Sequence, residues 1–150
     1  MKMFILTETD QILFGEKIGK LLIGGEFLEL SGDIGSGKTT FVKGLAKGLG
    51  VDEDIQSPSF TINRFYKGSR GIFLHHYDFY RLNDPGIMRA DILGAAAETD
   101  SVVAVEWAET VGDVLPQRRI KIDIKHQENG REITLTGLDD FSYIKEGLTV

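Results

Sequence analysis

A glycine-rich segment at residues 32–40, GDIGSGKTT, constrains this 150-residue chain more than any other feature. It fits the pattern G-x-x-x-x-G-K-[ST], with Lys38 and Thr39 at its last two positions. Glycines there let consecutive backbone N–H groups turn around phosphate oxygens, the lysine adds a mobile positive charge, and the threonine hydroxyl is a predicted Mg²⁺ ligand. An apolar segment precedes the loop and apolar residues at helical spacing follow it, which is the strand–loop–helix context of a phosphate site. The predicted nucleotide-binding residues of the loop are Gly35, Ser36, Gly37, Lys38, Thr39 and Thr40.

Composition and charge argue against several classes of function. The net charge of −6 disfavours a protein that holds free nucleic acid by itself, because phosphate-backbone affinity comes from clustered Lys and Arg. The chain has no cysteine, which excludes disulfides and thiolate metal sites and favours a reducing compartment. The apolar start reaches Glu8 too soon for a signal peptide, and no apolar run approaches the ~20 residues of a membrane helix. We therefore expect a cytoplasmic protein with no membrane segment.

The apolar periodicity alternates between helix and strand along the chain. Predicted helices cover residues 8–23, the stretch from the loop to Gly50, a segment that begins at 83, and residues 139–146. Predicted strands cover residues 27–30, 60–66, 72–77, 101–105, 119–125 and 131–135, with hairpins at 60–77 and 119–135. We expect one α/β domain over residues 1–150, a P-loop NTPase-like three-layer fold in which helices flank a mixed, mainly parallel central sheet.

The first predicted helix has a well-defined apolar face. Thr7 or Thr9 is its expected N-cap, because a threonine hydroxyl accepts a hydrogen bond from the first turn of a helix. The residues expected to face the core are Ile12, Leu13, Ile18, Leu21 and Leu22.

Two carboxylates close apolar strands and are candidates for a magnesium site. Glu106 follows the apolar run VVAV at 102–105, and Asp78 follows the strand at 72–77. Open α/β sheets bind ligands at the C-terminal ends of parallel strands, and Mg²⁺ prefers hard oxygen ligands. Each acid alone also fits a strand-end cap. Beside a phosphate loop, we predict that both take part in catalysis and that Glu106 ligates the metal together with Thr39.

Other residues carry weaker signals. Ser59 and Thr61 follow a Ser-Pro turn and have hydroxyls for a γ-phosphate or a metal-bound water, although such a segment is most often only a turn. Arg131 lies at a hairpin tip, where most arginines are solvated, but one near a base stacks on it or pairs with phosphate. Trp107 is expected to pack in the core, although a role as a lid or as a docking surface stays open.

Four segments together resemble one family. They are the loop at 32–41, SPSFT at 57–61, HYDFYRL at 76–82 and VEWAE at 105–109, in this order. The chain resembles the bacterial TsaE family, small P-loop ATPases of tRNA threonylcarbamoyladenosine biosynthesis, over most of its length. Where that family usually has threonine, this chain has Ser59, which keeps the hydroxyl but lacks the stiffness of a β-branched side chain.

The resemblance implies an activity, partners and roles for individual residues. The family serves the modification of the adenosine beside the anticodon in tRNAs that read codons beginning with adenine. It works with TsaD, which carries out the transfer, and TsaB, so that tRNA is met through that complex, and its ATP hydrolysis resets the complex between turnovers. The implied roles are phosphate binding for Lys38, Mg²⁺ binding for Thr39 and Glu106, orientation of water or metal for Asp78, nucleotide contact for Arg131 and approach to the adenine for Glu8.

Two other functions stay open beside an accessory ATPase. A small-molecule kinase would need an acceptor pocket, for which the short segment after Asp78 offers little room, and a long arginine-rich lid, which the sequence lacks. A nucleotide-dependent scaffold would bind ATP and hydrolyse little of it. No Asn-Lys-x-Asp segment of the kind that reads guanine is present, which favours ATP as the nucleotide.

Overall fold

The computed structural model describes residues 1–33, 35–56, 63–80 and 86–149. Its strands are β1 (Lys2–Ile5), β2 (Phe27–Ser31), β3 (Asn63–Lys67), β4 (Phe73–Asp78), β5 (Ser101–Glu106), β6 (Ile120–Gln127) and β7 (Gly130–Thr136). Its α-helices are α1 (Glu8–Leu21), α2 (Lys38–Leu49), α3 (Ile87–Ala97) and α4 (Ser142–Thr149). The strands form one sheet in the order β1-β7-β6-β2-β5-β4-β3. β6, β2, β5 and β4 pair in parallel at its centre, whereas β1, β7 and β3 are antiparallel to their neighbours.

Helices cover both faces of this sheet, which makes three layers. β5 is buried along its whole length, and its alternate residues belong to two different apolar clusters. Val102 and Ala104 pack in the cluster with residues of α1, α2 and α4, whereas Val103 and Val105 pack with residues of α3. A strand buried on both faces is typical of the centre of a parallel sheet. The predicted α/β fold with a mixed central sheet is confirmed.

The first helix begins as predicted, and one residue of its predicted apolar face lies in solvent. Thr7 is its N-cap, and the Thr7 hydroxyl accepts a hydrogen bond of 3.0 Å from the backbone N–H of Asp10. Ile18 and Leu22 are buried and Leu21 packs against the core as expected, but Leu13 is 53% exposed. The helix ends at Leu21, before the predicted end at residue 23.

Helices α1 and α2 approach each other so closely that their backbones are in contact. A Cβ atom added at Gly44 or Gly48 of α2 would lie 2.3 Å from a carbonyl oxygen of α1. A Cβ atom added at Gly15 or Gly19 of α1 would lie within 2.7 Å of a carbonyl oxygen of α2. Both helices carry two glycines four residues apart, so they can approach more closely than apolar side chains would allow. Leu13 lies on the side of α1 away from this contact and is exposed.

Other predicted elements differ from the structure at their ends. Both hairpins form, as β3–β4 and β6–β7. Strand β1 and a 3₁₀ helix at Ala108–Val114 were not predicted from the sequence. The last helix is shifted to Ser142–Thr149 and follows a 3₁₀ turn at Leu138–Asp140. The predicted start of the third helix at 83–85 and the first residues of the strand at 60–66 lie outside the described residues.

Strand direction brings the polar segments to one edge of the sheet. Because β2, β4, β5 and β6 are parallel, the glycine loop after β2, Asp78 of β4 and Glu106 of β5 share that edge. β7 runs the other way and brings Arg131 there, beside Ile5 of β1. α1 follows β1 directly, so its first turns lie next to the loop. Within the described ranges, no helix is long and apolar enough to span a membrane.

Candidate functional site

The glycine loop leads directly into helix α2. Gly35 and Gly37 have φ angles of 77° and 104°, in the left-handed region that favours glycine. Gly37 is the N-cap of α2, whose first N–H groups are free of intrahelical partners and give that end a partial positive charge. Ser36 is buried, and its Oγ has no hydrogen-bond partner among the described residues. A turn of this shape with an unpaired buried hydroxyl fits a bound anion.

Lys38 directly follows the loop, and its ammonium group is hydrogen-bonded back to the loop backbone. It is 6% exposed, and its ammonium group donates to the carbonyl oxygens of Gly32 at 2.5 Å and of Asp33 at 3.1 Å. The same nitrogen lies 4.2 Å from the centre of the Trp107 ring, a cation–π contact. Burial lowers the pKa of the Lys38 ammonium, while nearby carboxylates, with Glu106 foremost, oppose that shift. The loop therefore contains a partly desolvated cation whose present partners are neutral groups.

The Glu106 carboxylate lies between Thr39, at the start of α2, and His76 of strand β4. The Glu106 Oε2 atom lies 2.5 Å from Nε2 of His76, a histidine with no exposed surface, and 3.4 Å from Oγ1 of Thr39. His76 Nδ1 has no partner in the described part of the chain. An ionised carboxylate can only accept, so His76 is the donor in this contact, through Nε2–H. His76 therefore fixes one oxygen of the Glu106 carboxylate.

Asp78 lies beside Glu106 in the sheet. Their Cα atoms are partners in the parallel β4–β5 pairing, and Asp78 is 7% exposed. The Asp78 Oδ1 atom accepts a hydrogen bond of 3.0 Å from the backbone N–H of Tyr80. Asp78 thus caps the end of its strand, as one reading of the sequence expected, and lies at the same edge as the glycine loop.

The opposite side of the loop is held by residues of α1, β6 and β7. Gln11 has no exposed surface, and its side-chain NH₂ donates to the carbonyl oxygen of Gly37 at 2.7 Å. Arg131 Nη1 donates to the Gln11 Oε1 atom at 2.8 Å. Next to Arg131 in the β6–β7 pairing, His126 donates from Nε2 to the carbonyl oxygen of Gly35 at 2.8 Å. Two loop carbonyls are therefore held by donors from other elements.

Trp107 belongs to this site as well as to the core. It follows Glu106 and is the residue other than glycine that has a positive φ, 58°, in the described ranges. Its ring is half-buried and packs between Lys38 and the ring of Tyr80, 4.9 Å away. The expected core packing is confirmed, since Trp107 packs against the apolar cluster that contains Val105. Its contact with Lys38 was not expected, because sequence spacing does not reveal a backbone turn that redirects a side chain.

The remaining predicted site residues differ in burial, and two of them lie outside the described ranges. Glu8 is exposed in the first turn of α1, one turn before Gln11. Thr40 is half-buried in the first turn of α2. Thr61 and Ser59 lie outside the described residues. Sequence reasoning missed Gln11, and a usable signal was its place at the spacing of the buried face of α1, four residues before Gly15.

Thr39 and Glu106 fit a magnesium ion in the chemistry of their donors. Two ligands on adjacent corners of an Mg²⁺ octahedron lie about 3 Å apart, and the Thr39 and Glu106 oxygens are 3.4 Å apart. The described residues contain no group of three or more His, Cys, Asp or Glu side chains that could enclose a metal ion. This arrangement suits Mg²⁺ at a phosphate site, where substrate phosphates and water supply most ligands.

Comparison with known proteins identifies the family. The family model described as "Threonylcarbamoyl adenosine biosynthesis protein TsaE" matches residues 5–133. The tRNA threonylcarbamoyladenosine biosynthesis protein TsaE of Bacillus subtilis is 42% identical over 118 residues, which cover 76% of this chain and 71% of that protein. The protein of the same name from Treponema pallidum is 37% identical over 131 residues, which cover 84% and 93%.

A solved structure agrees with the sequence relatives. The crystal structure of Bacillus subtilis YdiB superposes with a TM-score of 0.79 at 30% sequence identity, and the alignment covers 99% of this chain and 94% of YdiB. The match thus extends over the glycine loop, both flanks of the site and the sheet between them. The chain belongs to the TsaE family.

Proposed function

We propose that this chain is a Mg²⁺-dependent ATPase that serves the threonylcarbamoyladenosine modification of tRNAs reading codons that begin with adenine. The names of its relatives support the role in tRNA modification. The convergence of Lys38, Thr39, Glu106 and Asp78 at one edge of the sheet, around a glycine loop that opens helix α2, carries the proposal of ATP hydrolysis. The absence of cysteine favours the cytoplasm as its location.

Binding of ATP requires Lys38 to change partners. In the structure its ammonium group is bonded to two loop carbonyls. Phosphate oxygens carry negative charge and make stronger hydrogen bonds with an ammonium group than neutral carbonyls do. The backbone N–H groups at the start of α2 add their dipoles at the same point. Lys38 then holds the outer phosphates, and its burial keeps that interaction poorly screened.

The charge around the loop supports the proposal that ATP binds together with a divalent cation. Asp78 and Glu106 are buried near Lys38, and together with Asp33 and Glu109 they act on its ammonium group. Four carboxylates close to one lysine would repel a free triphosphate. When bound, Mg²⁺ supplies positive charge that offsets both the phosphates and these acids. Thr39 and Glu106 are the residues that would hold it.

The remaining groups act on geometry and on water. His76 restrains the Glu106 carboxylate through Oε2, the oxygen that also lies 3.4 Å from the Thr39 hydroxyl. Asp78 is positioned by its bond to the Tyr80 backbone, and its carboxylate is the proposed acceptor of a hydrogen bond from the attacking water. Thr61 is proposed to place its hydroxyl near the γ-phosphate. The Trp107 ring covers one side of the Lys38 ammonium group, 4.2 Å from the ring centre.

TsaD and TsaB are the proposed partners, and hydrolysis resets their complex between rounds of transfer. A chain with a net charge of −6 is poorly suited to hold tRNA alone, so the tRNA is met through this complex. We expect slow hydrolysis by the isolated chain, because Lys38 must leave two carbonyls and part of its contact with Trp107. Partner binding beside Trp107 would favour the state in which Lys38 has left these carbonyls and binds the phosphates.

The decisive experiment compares the chain alone with the chain plus the TsaD–TsaB pair. ATP hydrolysis is measured in both, and multiple-turnover tRNA modification is measured with and without this chain. We expect hydrolysis to rise with the partners and repeated modification to require the chain. Fast hydrolysis alone, with no effect on repeated modification, would contradict the proposal. A phosphorylated small product would indicate a kinase instead, and unchanged support of modification by Lys38→Ala would indicate a scaffold.

A further inference from the structure

We propose that Gln11 is a positioning residue for the glycine loop and that Arg131 acts on nucleotide binding through Gln11. The inference rests on the proposed function, since it concerns the same phosphate site. Gln11 is a fully buried polar residue in the first half of α1, far from the loop in sequence. Its side chain bridges Gly37 in the loop and Arg131 on β7.

The bond to Gly37 determines the direction of a peptide group. The carbonyl oxygen of Gly37 accepts from the Gln11 side chain at 2.7 Å and from the backbone N–H of Phe41 at 2.9 Å. In a trans peptide the C=O and N–H point in opposite directions. With the carbonyl held from the side of α1 and α2, the Lys38 N–H points out of the start of the helix, where an anion binds.

Glycine makes this support necessary. Gly37 has a φ of 104°, and a residue without a side chain has low barriers to rotation of its peptide groups. A flip of this peptide would turn a carbonyl oxygen, a negative dipole, toward the phosphates. A Cβ atom at Gly37 would lie 2.6 Å from the Gln11 amide nitrogen, so the loop and Gln11 are in direct contact.

Arg131 determines which end of the Gln11 amide faces the loop. A guanidinium group has donors and no acceptor, so its neighbour at 2.8 Å must be the amide oxygen. The amide NH₂ then faces the Gly37 carbonyl, which can only accept. Without Arg131, the amide loses the partner that fixes its orientation. Arg131 therefore influences the loop without needing a direct contact with the nucleotide.

A double-mutant cycle separates this role from direct contact. Gln11→Met keeps the length of the side chain and removes both hydrogen bonds, and Arg131→Met removes the outer donor. We expect each variant to weaken Mg²⁺–ATP binding roughly three- to tenfold in calorimetry. The double variant should bind about as weakly as either single one, because both act through one contact. The kcat at saturating ATP should change less than the affinity, since the carboxylates lie on the other flank.

Two further variants sharpen the result. Gln11→Glu keeps the acceptor for Arg131 but places a carboxylate oxygen against the Gly37 carbonyl, so it should weaken binding at least as much as Gln11→Met. Gln117→Glu makes the same charge change at an exposed position at the opposite edge of the sheet and should leave binding unchanged. Losses that multiply in the double variant would show that Arg131 contacts the nucleotide itself. Unchanged affinity in both Gln11 variants would overturn the proposal.

A readout without nucleotide keeps this test independent of the proposed function. The Phe41 N–H donates to the same carbonyl as Gln11, so its hydrogen exchange reports the order of that peptide. We expect faster exchange at Phe41 in Gln11→Met and Arg131→Met and no change in Gln117→Glu. If the parent protein fails to bind ATP, the proposed function fails, and exchange still decides the role of Gln11. If the Gln11 variants do not fold, Arg131→Met alone gives the answer, and unchanged exchange and affinity there would refute the proposal.

Discussion

The two flanks of the glycine loop use different chemistry. On one flank, donors from α1, β6 and β7 hold the backbone of the loop, through Gln11 at Gly37 and His126 at Gly35. On the other flank, the ends of β4 and β5 bring two buried carboxylates, Asp78 and Glu106. The first flank shapes a surface for an anion, and the second would repel an anion that arrives without a metal. This difference suggests that binding and turnover depend on different sides of one loop.

Loss of Lys38 should have the largest effect, because this residue lies between the two flanks. Lys38→Ala removes the cation that offsets both the phosphates and the acids, and we expect turnover to fall on the order of 10²–10³-fold. Calorimetry and an ATPase assay measure the two consequences. Lys43→Ala, an exposed lysine of the same helix, is the matched control. Parental affinity and turnover in Lys38→Ala would mean that ATP binds elsewhere.

The acidic flank should affect turnover more than affinity. Glu106→Gln and Asp78→Asn keep the side-chain shape and remove the charge that organises metal and water, so we expect kcat to fall about 10²-fold. ATP affinity measured with Mg²⁺ should change much less. Glu128→Gln, in an exposed turn, controls for the loss of one charge. Equal losses in affinity and kcat would remove the proposed division between the flanks.

The donor flank depends on the close contact of α1 with α2. Gly44→Ala places a methyl group 2.3 Å from a carbonyl oxygen of α1, so the helices must separate and Gln11 must move away from the loop. We expect a loss of about 1–3 kcal/mol in the free energy of unfolding and weaker ATP binding. Denaturant unfolding and calorimetry measure these changes.

Gly94→Ala in α3 is the control for that substitution. A Cβ atom there meets nothing within 4 Å, and alanine in an exposed helix interior should stabilise the protein by roughly 0.5–1 kcal/mol. If Gly44→Ala were as stable as Gly94→Ala, the backbone contact between the helices would not be the support that the structure indicates.

The same comparison explains what the sequence predicts well. The acidic flank follows from local patterns, because a carboxylate directly after an apolar strand is visible in the sequence and parallel strands end at one edge. Glu106 and Asp78 were predicted in this way, and the structure places both at that edge. The loop itself follows from a spacing of glycines and lysine. The strand order at the sheet centre then brings these residues together, as predicted.

Sequence reasoning predicted Arg131 at the donor flank but missed Gln11 and the bond between them, because that contact joins distant parts of the chain. Gln11 and Arg131 are 120 residues apart in sequence, and no local pattern joins them. The wrong assignment of Leu13 has the same origin, since glycines in both helices decide which face of α1 is buried. Strand β1 has three exposed residues among four, so it lacks the alternation that reveals a strand. Tertiary contacts override local preference in each case.

Loss of the His76 bond to Glu106 should impair turnover less than loss of Glu106 or Asp78 itself. His76→Leu frees the Glu106 oxygen that now bonds to Nε2, so we expect about a tenfold higher Mg²⁺ requirement for turnover. His76→Gln places an amide NH₂ near the former Nε2 position and should restore part of that loss. The measurement is a Mg²⁺ titration of ATP hydrolysis. Equal behaviour of both variants would mean that His76 only fills space.

The smallest expected effect concerns His75, the neighbour of His76 on the other face of β4. Its Nε2 lies 3.2 Å from the Ser101 hydroxyl, and its ring packs on the edge of Phe65. Burial lowers the pKa of His75 below its usual 6.5, and the opposing attraction of Glu98 is weaker. The unfolded chain therefore takes up this proton before the folded one as the pH falls. Stability from this source is complete above about pH 7 and declines as the pH falls through 6.5 toward the folded pKa.

The test compares the parent protein with His75→Asn in denaturant unfolding between about pH 5 and pH 8. Asparagine keeps a polar group near Ser101 and does not titrate. The parent should lose more unfolding free energy than the variant on acidification, and the two curves should run parallel above about pH 7. A difference that is constant over the whole range would show that His75 titrates alike in the folded and unfolded chain. His75 lies outside the glycine loop, so ATP affinity should follow the same pH curve in both proteins. The comparison therefore separates the effect of His75 on stability from the chemistry of the site.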